Sequence, residues 1–189
     1  MKGKKLKFII IFIGMLLALV LAFGGCYLMP RMMYPLKYQE YVSYYGREFN
    51  VDNALIYSVI REESGFNEKA ISEKGAKGLM QITDSTAEYI ANLLGKKNYD
   101  LFDAKTNIEF GVFYLRYLTN RFSDTKSMLA SYNAGEGRVR EWLKDERYSQ
   151  DGKSLSKIPY EETERYVEKT YKSFIKYRKL YGDILDKSK

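Results

Sequence analysis

Three observations predict a mostly α chain with one apolar helix ahead of a helical domain. Apolar residues recur at helical spacing almost throughout, no stretch alternates convincingly as a strand, and a long uncharged run lies near the N-terminus. A length of 189 residues with 46% hydrophobic and 29% charged residues suits one packed domain plus an extension, and argues against wholesale disorder. The expected layout is a signal anchor or transmembrane helix at 1–29, a linker at 30–36 bracketed by Pro30 and Pro35, a domain at 37–183 and a tail at 184–189.

The run from Phe8 to Phe23 is apolar or glycine, and continues weakly to Met29. About 20 such residues cross a bilayer core as a helix. Lys2, Lys4, Lys5 and Lys7 precede it and should stay on the cytoplasmic side, placing the domain outside the cytoplasm. The length favours an uncleaved, single-pass anchor. Two alternatives remain open. Ala22-Phe23-Gly24 is a mediocre cleavage site for a secreted form. Gly24-Gly25-Cys26 resembles a lipobox with Cys26 as the lipid-bearing residue, although Phe23 is awkward at its first position. In the anchored form only a few residues, each spanning about 3.3 Å, separate the run from the first domain helix, so the domain should work near the membrane.

The domain's helices follow in order. Tyr38, Tyr41, Val42, Tyr45 and Phe49 mark the first. Asp52 offers an N-cap to the next, whose stripe is Leu55, Ile56, Val59 and Ile60. Thr106 and Glu109 have capping-box spacing ahead of Ile108, Val112, Leu115 and Leu118. Asp124 can cap a helix carrying Met128, Leu129 and Tyr132, and Val139, Trp142 and Leu143 suggest another. Pro159 precedes a long last helix with Tyr166, Val167, Tyr171, Phe174, Ile175 and Arg178.

Composition excludes several chemistries. With no histidine and one cysteine, neither a Ser-His-Asp nor a Cys-His nucleophile can form, the usual zinc ligands are missing, and no internal disulfide framework is possible. Any catalysis must come from carboxylates, hydroxyls, amides, lysine, arginine or tyrosine. The net charge of +7 does not indicate nucleic acid. Lys2, Lys4, Lys5, Lys7 and Arg31 precede the first acid, Glu40, and residues 32–189 carry only +2, with no basic stripe.

One residue breaks the helical pattern. On a wheel with Leu55 at zero, Ile56, Val59 and Ile60 fall near about 100°, 40° and 140°, and Glu63 at about 80°, within the apolar face. Its neighbour Glu62 points to the side, as a solvated charge should. A carboxyl group on a buried face favours its neutral form, and a carboxyl protonated near neutral pH is what general acid catalysis of glycosidic cleavage needs. Gly65 follows closely, so a carboxylate at a fraying helix end is an equally open reading at this point.

Four motifs resemble the soluble-lytic-transglycosylase (SLT) family, in its order and across nearly the whole domain. They are Glu63-Ser64-Gly65-Phe66-Asn67 running to Gly75-Ala76-Lys77-Gly78-Leu79-Met80-Gln81-Ile82 and Ser85-Thr86-Ala87; Asn107-Ile108 with Gly111, Tyr114 and Leu115; Ala130-Ser131-Tyr132-Asn133-Ala134-Gly135; and Ile158-Pro159-Tyr160-Glu161-Glu162-Thr163 with Tyr166-Val167. One departure is that Asp84 stands near where the family usually has proline opening a helix; an acidic residue there suits the helix dipole equally.

The resemblance implies a goose-type-lysozyme-like domain with a substrate cleft, at most a small β element, and no cofactor or metal. It implies cleavage of peptidoglycan glycan strands between N-acetylmuramic acid and N-acetylglucosamine without water, leaving 1,6-anhydromuramoyl ends, with Glu63 as the single acid and base. Ser64 would hydrogen-bond the sugar's N-acetyl region, Gln81 would bind the glycan, and Met80 would line its apolar side. Tyr132 would orient or polarise Glu63, Asn133 would support the cleft, and Glu162 and Tyr166 would close the site. Met80 and Tyr166 are also acceptable as plain core residues, Gly75, Gly78 and Gly135 as turn formers, and Asn133 as a turn cap. Most of the 18 tyrosines should serve packing and some should stack on sugars. A lysozyme-type hydrolase sharing Glu63 and a catalytically silent wall-binding scaffold are the alternatives.

Overall fold

The computed structural model describes residues 2–187, with the side chains of Lys2, Leu6, Cys26, Asp186 and Lys187 outside the description. The chain forms two compact units, 1–36 and 37–189. Among the described residues there are helices and two isolated β-bridges but no strands. The lipid-attachment reading of Cys26 falls on a side chain outside those described, and Ser188 and Lys189 of the expected tail lie outside too.

The first unit is helical to Met33: α1 (Lys2–Phe23), a π-helical turn at Gly24–Leu28, and α2 (Met29–Met33). The π turn falls on the glycine pair, where side chains constrain the backbone least. Pro30 sits in the first turn of α2, directly after the π turn. The segment expected as a linker from residue 30 is therefore helical over its first half. Arg31 closes this end, its guanidinium 3.8 Å from the Tyr27 ring centroid. The stretch Gly3–Phe23 is long and apolar enough to cross a membrane, and none of it is buried in the protein.

In the second unit, α3 (Gln39–Glu48), α4 (Asn53–Ser64), α5 (Asp84–Leu94), α6 (Ala104–Thr119), α7 (Thr125–Ala134), α8 (Glu136–Leu143) and α9 (Glu161–Lys187) surround a core in which α4 is central. Every residue from Asn53 to Ile60 is buried, so the first two turns of α4 are enclosed on all sides rather than along one stripe. Helix α9 packs along α4, with Tyr57 stacked on Tyr177 at 5.4 Å. Burying so many apolar side chains in one contact contributes about 1.5–3 kcal/mol for each large one.

Local signals set most helix ends. Asp52 accepts from Ala54 N at 2.9 Å and Asp124 from Ser127 N at 2.9 Å, as their positions predict. The expected cap at Thr106 is wrong. Asp103 caps α6 instead, accepting from Thr106 N at 2.8 Å and Thr106 Oγ1 at 2.7 Å, which moves the helix start three residues back. Glu109 is then free of capping and pairs with Lys96. At Thr83, the side chain caps α5 and Asp84 occupies its first turn.

The 65–83 loop is folded by its own backbone. Lys77 and Ile82 exchange N–H···O bonds at 3.0 Å, and Ser72 N reaches Ala76 O at 2.9 Å. Asn107 of α6 fixes this loop with its whole amide group. Its Nδ2 donates to Lys77 O at 2.9 Å and to Leu101 O at 2.8 Å, while its Oδ1 accepts from Met80 N at 2.7 Å. The approach demands glycine on both sides. A Cβ on Gly78, which also has φ 75°, would collide with the Asn107 amide, and one on Gly111 would collide with the Met80 side chain. Replacing Asn107 by alanine strands one buried donor, Met80 N, and one buried acceptor, Leu101 O, at about 1–3 kcal/mol each, while Lys77 O keeps its bond from Ile82 N. Asn107→Ala should therefore lower stability by at least about 2 kcal/mol, measured as a drop in thermal midpoint of the full chain in detergent.

Candidate active site

Helix α4 is regular to Ser64 and stops at Gly65, which has a left-handed backbone (φ 58°) and donates to Arg61 O at 3.1 Å. The wheel therefore holds at Glu63, and the fraying-end reading does not apply. Glu63 is half-buried, and desolvation raises its pKa to about 7, with the charge of Glu62 adding to the rise. Against them, the Tyr166 hydroxyl favours the anion. That approach falls short of full hydrogen-bond geometry, leaving the buried hydroxyl without a normal partner. No cation stands within ion-pair distance of Glu63 among the described residues.

Glu62 is not the solvated charge expected of it. Its side chain is 13% exposed, pairs with Arg61, and accepts from Ser173 Oγ of α9 at 2.7 Å. Arg61 also donates to Ser173 at 3.2 Å. This three-residue tie between α4 and α9 holds the turn that carries Glu63, and sequence reasoning missed it because its partners lie 111 residues apart.

The Asn107-anchored loop meets the end of α4 through Ser64, whose hydroxyl donates to Leu79 O at 2.8 Å with Ile60 O a second acceptor at 3.2 Å. Ser64 thus spends its proton on the scaffold, leaving only lone pairs for an N-acetyl group. Met80 is wholly buried, packed against Gly111, so the expected sugar-lining surface is not there. Its contribution is the backbone carbonyl, which accepts from Tyr132 Oη at 2.8 Å. That bond takes the only proton of Tyr132, which therefore cannot donate to Glu63. Tyr132 instead feels Glu63 as a charge; burial first, then that charge, pushes its hydroxyl well above the usual tyrosine range. The hydroxyl that approaches Glu63 is that of Tyr166, whose own pKa is pushed up in the same way.

Gln81 has a left-handed backbone (φ 51°) and gives both amide protons to the loop, to Gly78 O at 2.9 Å and Ala70 O at 3.2 Å. Only its Oε1 remains for a ligand. Asn133 is exposed, and its Oδ1 accepts from Thr163 of α9 at 2.8 Å. Glu162 is 73% exposed at the start of α9, 3.7 Å from Lys74 of the loop. A surface pair of this kind contributes about 1 kcal/mol at most.

Gln81, Thr86, Tyr114, Tyr132, Asn133 and Gly135 line a cavity of about 250 Å³. Tyr132, which lines it, feels the charge of Glu63. Among the described residues no cluster of three or more acids or cysteines could hold a metal ion. The arrangement offers one proton-bearing carboxyl group beside a polar, aromatic-lined cavity, and the chemistry available to it is proton transfer.

The model of the transglycosylase SLT domain matches residues 40–155. This chain belongs to the SLT family. The soluble lytic murein transglycosylase of Salmonella typhimurium is 33% identical over 155 residues, covering 79% of this chain and 24% of that protein. The membrane-bound lytic murein transglycosylase C of Mannheimia succiniciproducens is 37% identical over 128 residues, covering 60% of this chain and 36% of that one. Among solved structures, the 70 kDa soluble lytic transglycosylase of Escherichia coli superposes with a TM-score of 0.72 at 31% identity, covering 81% of this chain and 26% of that one; it has also been solved with bulgecin A. The SLT chain spans about a quarter of the length of the soluble relatives it matches.

A raised carboxyl pKa has a consequence for stability. The folded state resists ionising Glu63, so the stability that goes with its neutral form is complete below about pH 4.5 and is lost as pH rises through about 7. A neutral isostere removes that loss. Glu63→Gln should match wild type at pH 4 and exceed it at pH 8–9, by up to about 3 kcal/mol. Thermal unfolding of the two full chains across this pH range measures the difference.

Proposed function

We propose that the chain is a lytic transglycosylase that cleaves the β-1,4 bond between N-acetylmuramic acid and N-acetylglucosamine in peptidoglycan. The observation that carries this reading is the Glu63 carboxyl group, raised to about 7 by burial with no cation to force it to ionise. Family membership and the named relatives support the substrate class.

Glu63 first donates its proton to the glycosidic oxygen as the bond to C1 breaks. A retaining hydrolase would need a second carboxylate about 5 Å away as nucleophile. Glu62 is the acid whose charge Glu63 feels, and it is engaged by Arg61 and Ser173. The nucleophile in this reading is the N-acetyl oxygen of the substrate, which closes a transient ring on C1. The Glu63 carboxylate then takes the proton of the muramic acid C6 hydroxyl, O6 attacks C1, and the 1,6-anhydro product leaves. Each proton lost by Glu63 is returned, and no water is consumed. Tyr166 steadies the intervening anion, Gln81 Oε1 accepts from a sugar N–H or O–H, and Asn133 and Glu162 stand at the edges of the cleft.

Muropeptide analysis of digested sacculi tests this. Wild type should release anhydro-ended fragments, and Glu63→Gln should be at least about 10²-fold slower. Reducing ends would identify a hydrolase, and full activity in Glu63→Gln would remove Glu63 from the chemistry. A second measurement addresses Tyr166. Its hydroxyl lowers the Glu63 pKa, so Tyr166→Phe should raise it and move the alkaline limb of the kcat/KM profile to higher pH; an unmoved limb contradicts the assignment.

The apolar Gly3–Phe23 helix and the membrane-bound relative support association with the cell membrane or envelope. In this reading the helix is an uncleaved single-pass anchor, its lysines are cytoplasmic, and the SLT domain is extracytoplasmic. Cell fractionation should find the chain in the membrane pellet, and recovery from the medium would overturn the anchor.

A further inference from the structure

The face that α9 turns toward α4 is not wholly apolar. Thr163, Tyr166, Thr170, Ser173 and Tyr177 follow one another at spacings of three and four residues, so they share one side of the helix, and each carries a hydroxyl. Thr163, Thr170, Ser173 and Tyr177 are buried. Core positions at this spacing are ordinarily aliphatic or aromatic. The hydroxyls differ in what they touch. Thr163 donates to Asn133 Oδ1 at 2.8 Å, and Ser173 to Glu62 Oε1 at 2.7 Å. Between these two committed groups lie Tyr166 and Thr170, whose hydroxyl oxygens are buried without a full hydrogen bond among the described residues.

Thr170 is unusual in a second way. A serine or threonine inside a helix commonly turns its hydroxyl onto the carbonyl three or four residues back. Ser58 and Thr119 do so, donating to Leu55 O at 2.7 Å and Leu115 O at 2.8 Å. The Thr170 hydroxyl makes no such bond, so its proton is not spent on its own helix. The side chain one turn before it is Tyr166. Burial first, then the charges of Glu63 and Tyr132, push the Tyr166 pKa up; the Thr170 hydroxyl acts the other way, as a donor to the phenol oxygen. A valine would fill the same space without stranding a hydroxyl, so packing does not explain threonine here.

We propose that Thr170 is a positioning residue for proton transfer at Glu63, its hydroxyl donating to Tyr166 Oη and so turning the Tyr166 proton toward the Glu63 carboxyl group. A hydroxyl that accepts a hydrogen bond becomes a better donor, and a phenol oxygen held from one side presents its proton to the other. The relay matters while Glu63 is an anion, after it has given its proton and before it regains one. The other groups at this contact are committed elsewhere. Arg61 and Glu62 of α4 are engaged with Ser173, and Tyr132 of α7 gives its proton to Met80 O. Tyr57 of α4 stacks on Tyr177, and burial raises its pKa with no contribution from Glu63. Thr170 itself touches no substrate, and the inference rests on reading Glu63 as the acid and base.

The test follows the Glu63 carboxyl group directly, by carbon NMR titration of the full chain in detergent with labelled glutamate, its signal assigned by loss in Glu63→Gln. Removing the Thr170 hydroxyl withdraws support from the anion, so Glu63 keeps its proton to higher pH. Thr170→Val should raise the titration midpoint by about half a pH unit, and Thr170→Ser should leave it in place. The alkaline limb of the kcat/KM profile should move with the midpoint. In a Tyr166→Phe background the valine variant should have no further effect, a result that a purely structural threonine does not give. An unmoved midpoint in Thr170→Val overturns the inference. So does an equal shift with and without the Tyr166 hydroxyl, or a serine variant that behaves as valine does. Where circular dichroism shows that valine disturbs the fold, Thr170→Ala carries the same expectation and the same refutation. If the midpoint moves while the limb does not, or if the chain cuts no glycan, the failure belongs to the functional reading, and the titration still decides the relay.

Discussion

Ionising a carboxyl group among packed helices costs free energy that water would otherwise supply, and the site is organised around keeping Glu63 in that condition. It lies where α4, enclosed for two turns, meets α9, and the same contact both forms the core and dehydrates the carboxyl group. Two other ties keep the region closed. The Arg61–Glu62–Ser173 group joins α4 to α9 one residue away from Glu63. The Asn107 amide holds the loop whose carbonyls at Leu79 and Met80 receive the protons of Ser64 and Tyr132. Loosening either would let water in and return Glu63 toward an ordinary carboxylate.

The sequence reveals what is local and hides what is distant. The caps at Asp52 and Asp124 depend on residues within a turn of one another and are legible from spacing alone, whereas the phase of Glu63 is legible only as one of two readings until the helix is seen to run to Gly65. Thr106 misled because Asp103, three residues earlier, competes for the same N–H groups and wins them with a charged acceptor. Glu62 could not be read at all, since its partner on α9 is specified only by the tertiary fold. For Met80, Gln81 and Ser64, motif resemblance implied contacts with the glycan. It did not show that the first is buried and that the other two give their protons to the backbone.

Those proton assignments alter what the SLT cleft can recognise. Tyr132, Ser64 and the amide nitrogen of Gln81 donate inward, so what they present outward is acceptor oxygen. The glycan proposed as substrate would bring hydroxyl and amide N–H donors, and a wall of acceptors suits such donors without competing for the proton on Glu63. The donor that does point toward Glu63 is Tyr166.

Acid and base duty in one residue asks for surroundings that tolerate both charge states. A fixed cation would hold Glu63 ionised and stop proton donation; a wholly apolar pocket would hold it neutral and stop proton abstraction. The seam between α4, α7 and α9 is neither. The hydroxyls of Tyr57, Ser131, Tyr166 and Thr170 are buried there without fixed partners, and Tyr166 borders Glu63 directly. Leaving such groups unsatisfied costs about 1–3 kcal/mol each. A hydroxyl with no committed acceptor can turn its proton toward a carboxylate when one forms, and away when Glu63 is neutral. The stability given up at this seam supports a carboxyl group poised near pH 7, as the proposed mechanism, in which Glu63 changes charge twice in each turnover, would require.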